Sequence, residues 1–343
     1  MSLDPTTNFK DSNGADLGKK LVTKEYLLDV YGSILESLGT SALTVSPALW
    51  TWGRNNLAQL GINDTTNRST PVTTFAGGTD WQSVSSGYFH SAAIKTDGTL
   101  WTWGSNSYGQ LGINFVNTRS TPVTTFAGGT DWKSVAAGND HTLAIKTDGT
   151  LWVWGYNNSV QLGINNTADR STPVTTFAGG TNWKSVASGG YHTAAIKTDG
   201  TLWTWGSNTY GALGTNADGP RSTPVTTFAG GTDWKSVAAG LRHTVSIKTD
   251  GTLWTWGFNS FAQLGINESG VTTNRTTPVT TIAGGTNWKS IDCGDYHTVS
   301  IKTDGTLWVW GRNNSGQLGI NDTTNRSAPV TTFAGGNNWK SVA

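Results

Sequence analysis

Cysteine is almost missing from this sequence: Cys293 stands alone among 343 residues, so no intramolecular disulfide can staple the fold. It fills a slot that sister repeats give to alanine or serine, which reads it as a small core residue. Charge is scarce as well, at 13% of residues with 23 basic against 22 acidic, and ten of the 14 lysines recur at two fixed repeat positions instead of clustering. That pattern excludes the electropositive footprint of a nucleic-acid binder and a polybasic membrane patch. No apolar run approaches the roughly 20 residues that span a bilayer, and the start "MSLDPTTNFKDSNGADLG" lacks the basic and apolar regions of a secretory signal. A soluble chain without membrane insertion is expected. Helical periodicity is missing from Leu49 onward.

Tryptophan, by contrast, occurs 18 times and always in register. A pair in "LW[TV]WG" begins at Trp50, Trp101, Trp152, Trp203, Trp254 and Trp308, and a third member in "GG[TN][DN]W" falls at Trp81, Trp132, Trp183, Trp234, Trp288 and Trp339. Six repeats follow, starting near residues 49, 100, 151, 202, 253 and 307. Each reads as four short strands. The two tryptophans of "LWTWG" are two apart and share one strand face. "KTDGT" is a hairpin turn between apolar runs. "TPVTTF" suits an edge strand, where proline is tolerated. "WKSVAAG" and "HTAAIK" complete the unit. Four-strand units at this period predict an all-β fold, a β-propeller of six four-stranded blades over residues 40–343, with the tryptophan pairs carrying the packing between blades.

The last repeat stops at "NNWKSVA", while "GTSALTVSPALWTWG" (39–53) aligns without a gap on "HSAAIKTDGTLWTWG" (90–104), Leu43 falling on Ile94 and Leu49 on Leu100. The N-terminal segment is therefore expected to supply the strand that the last blade lacks and so to close the ring, with Leu43 to Val45 beside the sheet containing Trp308.

The phrases "WGxNxxxQLG", "TPV" and "VAAGxxHTxAI" together resemble the repeat of the regulator of chromosome condensation family, six times over. The resemblance implies a propeller, typically of seven blades where this chain counts six. It implies no single activity, because members include a nucleotide exchange factor for a small GTPase, an ultraviolet photoreceptor and an inhibitor of β-lactamases. The basic tail of the exchange factor has no counterpart before Leu49, and the photoreceptor's "GWRHT" becomes "GLRHT" at 240–244, which argues against light sensing. The near-identity of the units, down to "VTTFAGGT", and the leader "TTNFKDSNGADLGKKLVTKEYLLDVYGSIL" also resemble virion structural proteins of tailed bacteriophages.

Antiparallel strand order puts the "GxxH" turn and the loop from "WG" through "QLGIN" at one end of every blade, and the nearly invariant "TDG" and "FAGGT" at the other. The variable positions all fall at the first end and are rich in aromatics: Leu57, Tyr88, Phe89, Tyr108, Phe115, Tyr156, Tyr191, Tyr210, Leu241, Arg242, Phe258, Phe261 and Tyr296. Rigid aromatics with an arginine are what protein interfaces use as anchors. These residues either form a binding face, or pack locally within the loops or line the central channel.

Chemistry-bearing patterns point the other way. His90, His141, His192, His243 and His297 share one repeat slot, so a ring holds them a blade apart and gives them a structural task; Asp97, Asp148, Asp199, Asp250 and Asp304 belong to the hairpin turn. No phosphate loop, metal spacing, nucleophile elbow or calcium loop occurs. No catalytic, metal or cofactor site is expected. In the leader, residues 1–39, an apolar stripe of Leu27, Tyr31, Ile34 and Leu38 predicts a short amphipathic helix, which either folds against the propeller or serves as an attachment segment.

The expected function is that of a non-enzymatic bacteriophage virion accessory protein, assembled in the host cytoplasm. Its propeller face would bind other virion proteins or a host surface protein or glycan, and its N-terminus would attach it to the particle, where homo-oligomers are compatible with the role. The alternative is a soluble protein-interaction module in a cell, an inhibitor or GTPase-regulator-like protein. Neither reading involves nucleic acid.

Overall fold

The computed structural model describes residues 48–342. Strand β1 (Trp50–Gly53) pairs with β2 (Arg68–Thr73) as a first, two-stranded blade. The second blade orders β3 (Trp81–Ser86), β4 (His90–Lys95), β5 (Leu100–Gly104) and β6 (Arg119–Thr124) side by side. Four more antiparallel four-stranded blades follow over residues 132–175, 183–226, 234–280 and 288–331. The architecture is all-β, with short 3-10 turns at Thr209–Gly211 and Val271–Thr273. The six sheets match the count from sequence. The strand expected from Leu43 to Val45 lies outside the described residues, as do Leu27, Tyr31, Ile34 and Leu38 of the leader stripe. The sheet containing Trp308 takes its four strands from residues 288–331.

Local chemistry sets each unit. At the hairpin turn Asp97 Oδ1 accepts the Thr99 amide at 2.9 Å and the Thr99 hydroxyl at 2.7 Å, while Gly98 sits at φ 79°, a left-handed conformation open to glycine. Pro122 occupies β6, the outermost strand of its sheet, where a missing amide hydrogen is harmless. Strand alternation then separates two apolar faces. One carries the tryptophans: Trp132 meets Trp152 and Trp154 edge to face at 6.2 Å. The other is aliphatic.

Blades stack tryptophan face on aliphatic face. Trp132 and Trp154 of the third blade cluster with Ile94 and Leu100 of the second, and Trp183 and Trp205 of the fourth with Leu143, Ile145, Leu151 and Val153 of the third. Polar bonds register the seam. Trp154 Nε1 and Thr142 Oγ1 both donate to the Gln110 carbonyl, at 2.9 and 2.8 Å. His90 Nε2 lies 2.8 Å from Thr142 Oγ1. Since the threonine gives its single proton to the carbonyl, the histidine must donate through Nε2. The pattern recurs at Gln161, Ala212 and Gln263.

One of the two repeated lysine slots also finds its reason here. Lys146 Nζ sits 4.8 Å from the Trp132 ring and 5.2 Å from that of Trp152, and 3.2 Å from Asp131. It caps the tryptophan face of its own blade.

Candidate functional site

Antiparallel pairing brings the β3–β4 turn and the end of β5 to one edge of the second blade, with His90 opposite Gly104. The same pairing operates in each later blade, so the variable residues gather at one end. Arg54 of the first blade lies 5.4 Å over Phe89 of the second, whose ring is 4.4 Å from Tyr88. Tyr108 meets Tyr156 of the next blade at 4.7 Å. Arg242 lies over Tyr191 at 5.9 Å and Tyr210 at 5.4 Å, rings contributed by the fourth blade to a side chain of the fifth. Tyr210 continues to Phe258 at 4.7 Å, and Phe261 and Tyr296 stand 4.9 Å apart beneath Arg312. Leu57 and Leu241 are half-buried, and Phe115 is exposed. Local stacking and exposure therefore coexist: Tyr88, Tyr108 and Tyr210 pack on neighbours and still face solvent.

Two participants escaped the sequence reading. Arg54 and Arg312 occupy the slot directly after "WG", which holds Ser105, Tyr156, Ser207 and Phe258 in the other units. A slot-by-slot comparison would have marked them. One loop also differs from expectation. The "QLG" stretch does not stay at the variable end: Thr102 Oγ1 donates to the Leu111 carbonyl and the Phe126 amide to that of Gly112, both at 2.8 Å. It runs back along its blade because its glycine receives the next blade's tryptophan. A Cβ on Gly112 would sit 2.8 Å from Trp154 Nε1.

The innermost strands of five blades line a cavity of about 570 Å3, walled by Val84, Val135, Val186, Val237 and Ile291. Its carboxylates come from the sixth blade, where Asp292 takes the slot of Ala136 and Ala187; burial raises its pKa and that of Asp295. Burial likewise depresses four histidines, His90 and His192 to about 4 and His141 and His243 to about 3. A buried ring locked as an Nε2 donor to threonine serves the seam and is unsuited to shuttling protons. Burial raises the Cys293 thiol. Among the described residues no three His, Cys, Asp or Glu side chains gather as a metal site, and no helix is long and apolar enough to cross a membrane.

Comparison with known proteins places this geometry. The chain is 34% identical over 296 residues to the ultraviolet-B receptor UVR8 of Arabidopsis thaliana, covering 84% of this chain and 66% of that one. It is 28% identical to the X-linked retinitis pigmentosa GTPase regulator homolog of Caenorhabditis elegans, over 84% of this chain and 24% of the relative. It is 30% identical to the human probable E3 ubiquitin-protein ligase HERC6, over 74% and 25%. The chain thus spans from about a quarter to just under two thirds of the length of these relatives. Among solved structures, yeast RCC1 (Prp20) in complex with Kap60 superposes with a TM-score of 0.71 at 20% identity, over 84% of this chain and 74% of that one, which bears on fold alone.

These matches overturn the virion assignment in function, partners and location, because the relatives are proteins of plant, nematode and human cells. Near-identical repeats record duplication within one chain and carry no information about where it works. The RCC1-like domain model matches residues 135–343 and the regulator of chromosome condensation (RCC1) repeat model matches 48–94 and 97–145, so the chain belongs to the RCC1-like family of repeat β-propellers.

Proposed function

We propose that this chain is a non-enzymatic protein-interaction module of a cell, which presents the variable ends of its blades to a partner protein. One observation carries the proposal: side chains that differ between repeats come together across blade boundaries, at one end of a framework that is otherwise repeated. Constant tryptophans and histidines build the seams and variable positions build the face. Regulators of GTPases among the relatives make a small GTPase one kind of partner to try. The joint change of Tyr88, Tyr108 and Tyr210 to serine tests the face, with Phe126→Ser plus Phe177→Ser as a control at the opposite end. Proteins retained from an extract of the source cells, quantified by mass spectrometry, should fall with the triple variant and persist with the control. The reverse result would move the contact to the other end.

We further propose that the ring closes on itself, the segment before Leu49 completing the first blade. Three of the 18 tryptophans are substantially exposed: Trp50 at 53%, Trp52 at 59% and Trp339 at 37%. By repeat register they are the three members of one tryptophan face, equivalent to Trp101, Trp103 and Trp81. The seat for the second of them is also identifiable. A Cβ on Gly61 would lie 2.7 Å from Trp103, whereas one on Gly319 meets nothing within 4 Å. Closure would set Trp52 against Gly319 and Gln317, as Trp103 sits against Gly61 and Gln59.

A further inference from the structure

The charges on the variable face bear on the chemistry of what it binds. Some basic side chains at the blade ends find carboxylates, as Arg68 does with Asp64, Lys95 with Asp80 and Arg275 with Glu268. Arg242 has no ion pair and its guanidinium makes no hydrogen bond among the described residues. It rests on the rings of Tyr191 and Tyr210 instead. A ring face attracts the cation without engaging its N–H groups, so the planar fork keeps its donors. Stacking also fixes the fork, which lowers the entropy lost when a carboxylate arrives.

The surroundings extend this into a strip. From Tyr210 the rings run through Phe258 to Phe261 and Tyr296, with centroids 4.7, 6.1 and 4.9 Å apart in turn. Arg312 ends the strip, 5.2 Å over Phe261 and 5.5 Å over Tyr296, with Nε bonded to Asn314 and its terminal amino groups outside that bond. The order is cation, four rings, cation.

Resting on the interaction-face reading, we infer that this strip takes an acidic peptide segment of a partner protein. One carboxylate pairs with Arg242, another lies at Arg312, and an apolar side chain between them covers Phe258 and Phe261. A nucleic acid fits the same charges less well. The two guanidiniums stand at the ends of four uncharged rings with Asp295 near the second of them, so a continuous polyanion would find few cations to neutralise its phosphates.

The test lays fluorescently labelled full-length chain on an array of random-sequence dodecapeptides, then measures the best binder by fluorescence anisotropy. Asp and Glu, with an aromatic residue or leucine, should be enriched among bound peptides. Arg242→Gln should weaken the best binder about tenfold, the scale of a lost bidentate charge-assisted contact. Arg242→Lys should recover only part, since an ammonium keeps the charge without the fork. Both variants should keep the wild-type melting temperature. Bound peptides without acidic enrichment, indifferent to Arg242→Gln but lost with the triple serine variant, would overturn the anion inference and leave the face standing. Peptides indifferent to both variants would sink both. An array with no bound peptide overturns the inference, as does tighter, Arg242-dependent binding of a single-stranded dodecanucleotide.

Discussion

Trp205 and Trp52 occupy the same slot of the repeat and meet opposite fates. Trp205 is fully buried, its Nε1 donating to the Gln161 carbonyl at 2.9 Å; Trp52 is 59% exposed. His243 and His297 form a second such pair. The first is fully buried 3.1 Å from Thr298 Oγ1, while the second is only half-buried. Nothing in the residues themselves differs. What differs is whether a neighbouring blade presents its complementary face, so the stability of each unit resides in seams more than in sheets.

The largest effect that tests this contrast is acid. His90, His141, His192 and His243 are held neutral in the fold with pKa values depressed to about 3 to 4. Unfolded, they return to about 6.5. The unfolded chain therefore binds more protons below that value, and stability present at neutral pH is lost as pH falls from about 6.5 towards 4. Each ring accounts for about 2 kcal/mol by pH 5, so the four together exceed any single substitution below. Chemical denaturation at pH 7 and pH 5 measures the sum. His297, whose depression is weaker, should contribute less, and a His297→Gln variant should retain most of the pH dependence.

Next comes a sealed seam. Trp205→Ala should destabilise by about 3–5 kcal/mol, because it opens a cavity against Leu143, Ile145 and Val153 and leaves the Gln161 carbonyl with the Thr193 hydroxyl as its one remaining side-chain donor. Trp52→Ala sharpens the comparison: a closed ring predicts a loss approaching that of Trp205→Ala, about 3 kcal/mol, whereas an unsealed first blade predicts less than about 0.5 kcal/mol. The difference is large enough for a urea titration to decide.

Much of this was legible in the sequence because it is local. The Asp-Gly turn, the alternation in "LWTWG" and the repeat period fix strands and sheet order within some 50 residues of chain, and a histidine in one slot of five of the six units reads as structural. The seams were less legible. Which carbonyl receives Trp154, or why Gly112 must lack a side chain, depends on residues 42 to 44 positions apart in different blades. The fold-back of "QLG" follows from that seat and so was missed with it. The aromatic face was found from its variability, but Arg54 and Arg312 were not, since arginine after "WG" looks like ordinary solvated charge until a ring from the next blade lies under it. The virion reading failed for a different reason: it leaned on repeat regularity, which describes how the chain was built, and on the likeness of the leader, which lies outside the described residues.

The smallest effect belongs to a slot that is nearly as constant as the tryptophans. Phe75, Phe126, Phe177, Phe228, Ile282 and Phe333 follow the outer strand in each unit, and all are 59–74% exposed. Constancy here cannot be ascribed to a seam. The bond that each makes to the framework comes from its backbone amide, as Phe177 donates to the Gly163 carbonyl at 2.9 Å, and serine would keep it. Phe177→Ser should therefore change stability by less than about 0.5 kcal/mol, the range of surface substitutions that touch no packed feature. Paired with Trp205→Ala in the same denaturant series, it separates two kinds of repeated aromatic: one kept because a neighbouring blade is built around it, the other free of that demand. A loss of about 2 kcal/mol or more for Phe177→Ser would erase the distinction, because it would show the ring packed in solution where the fold leaves it exposed.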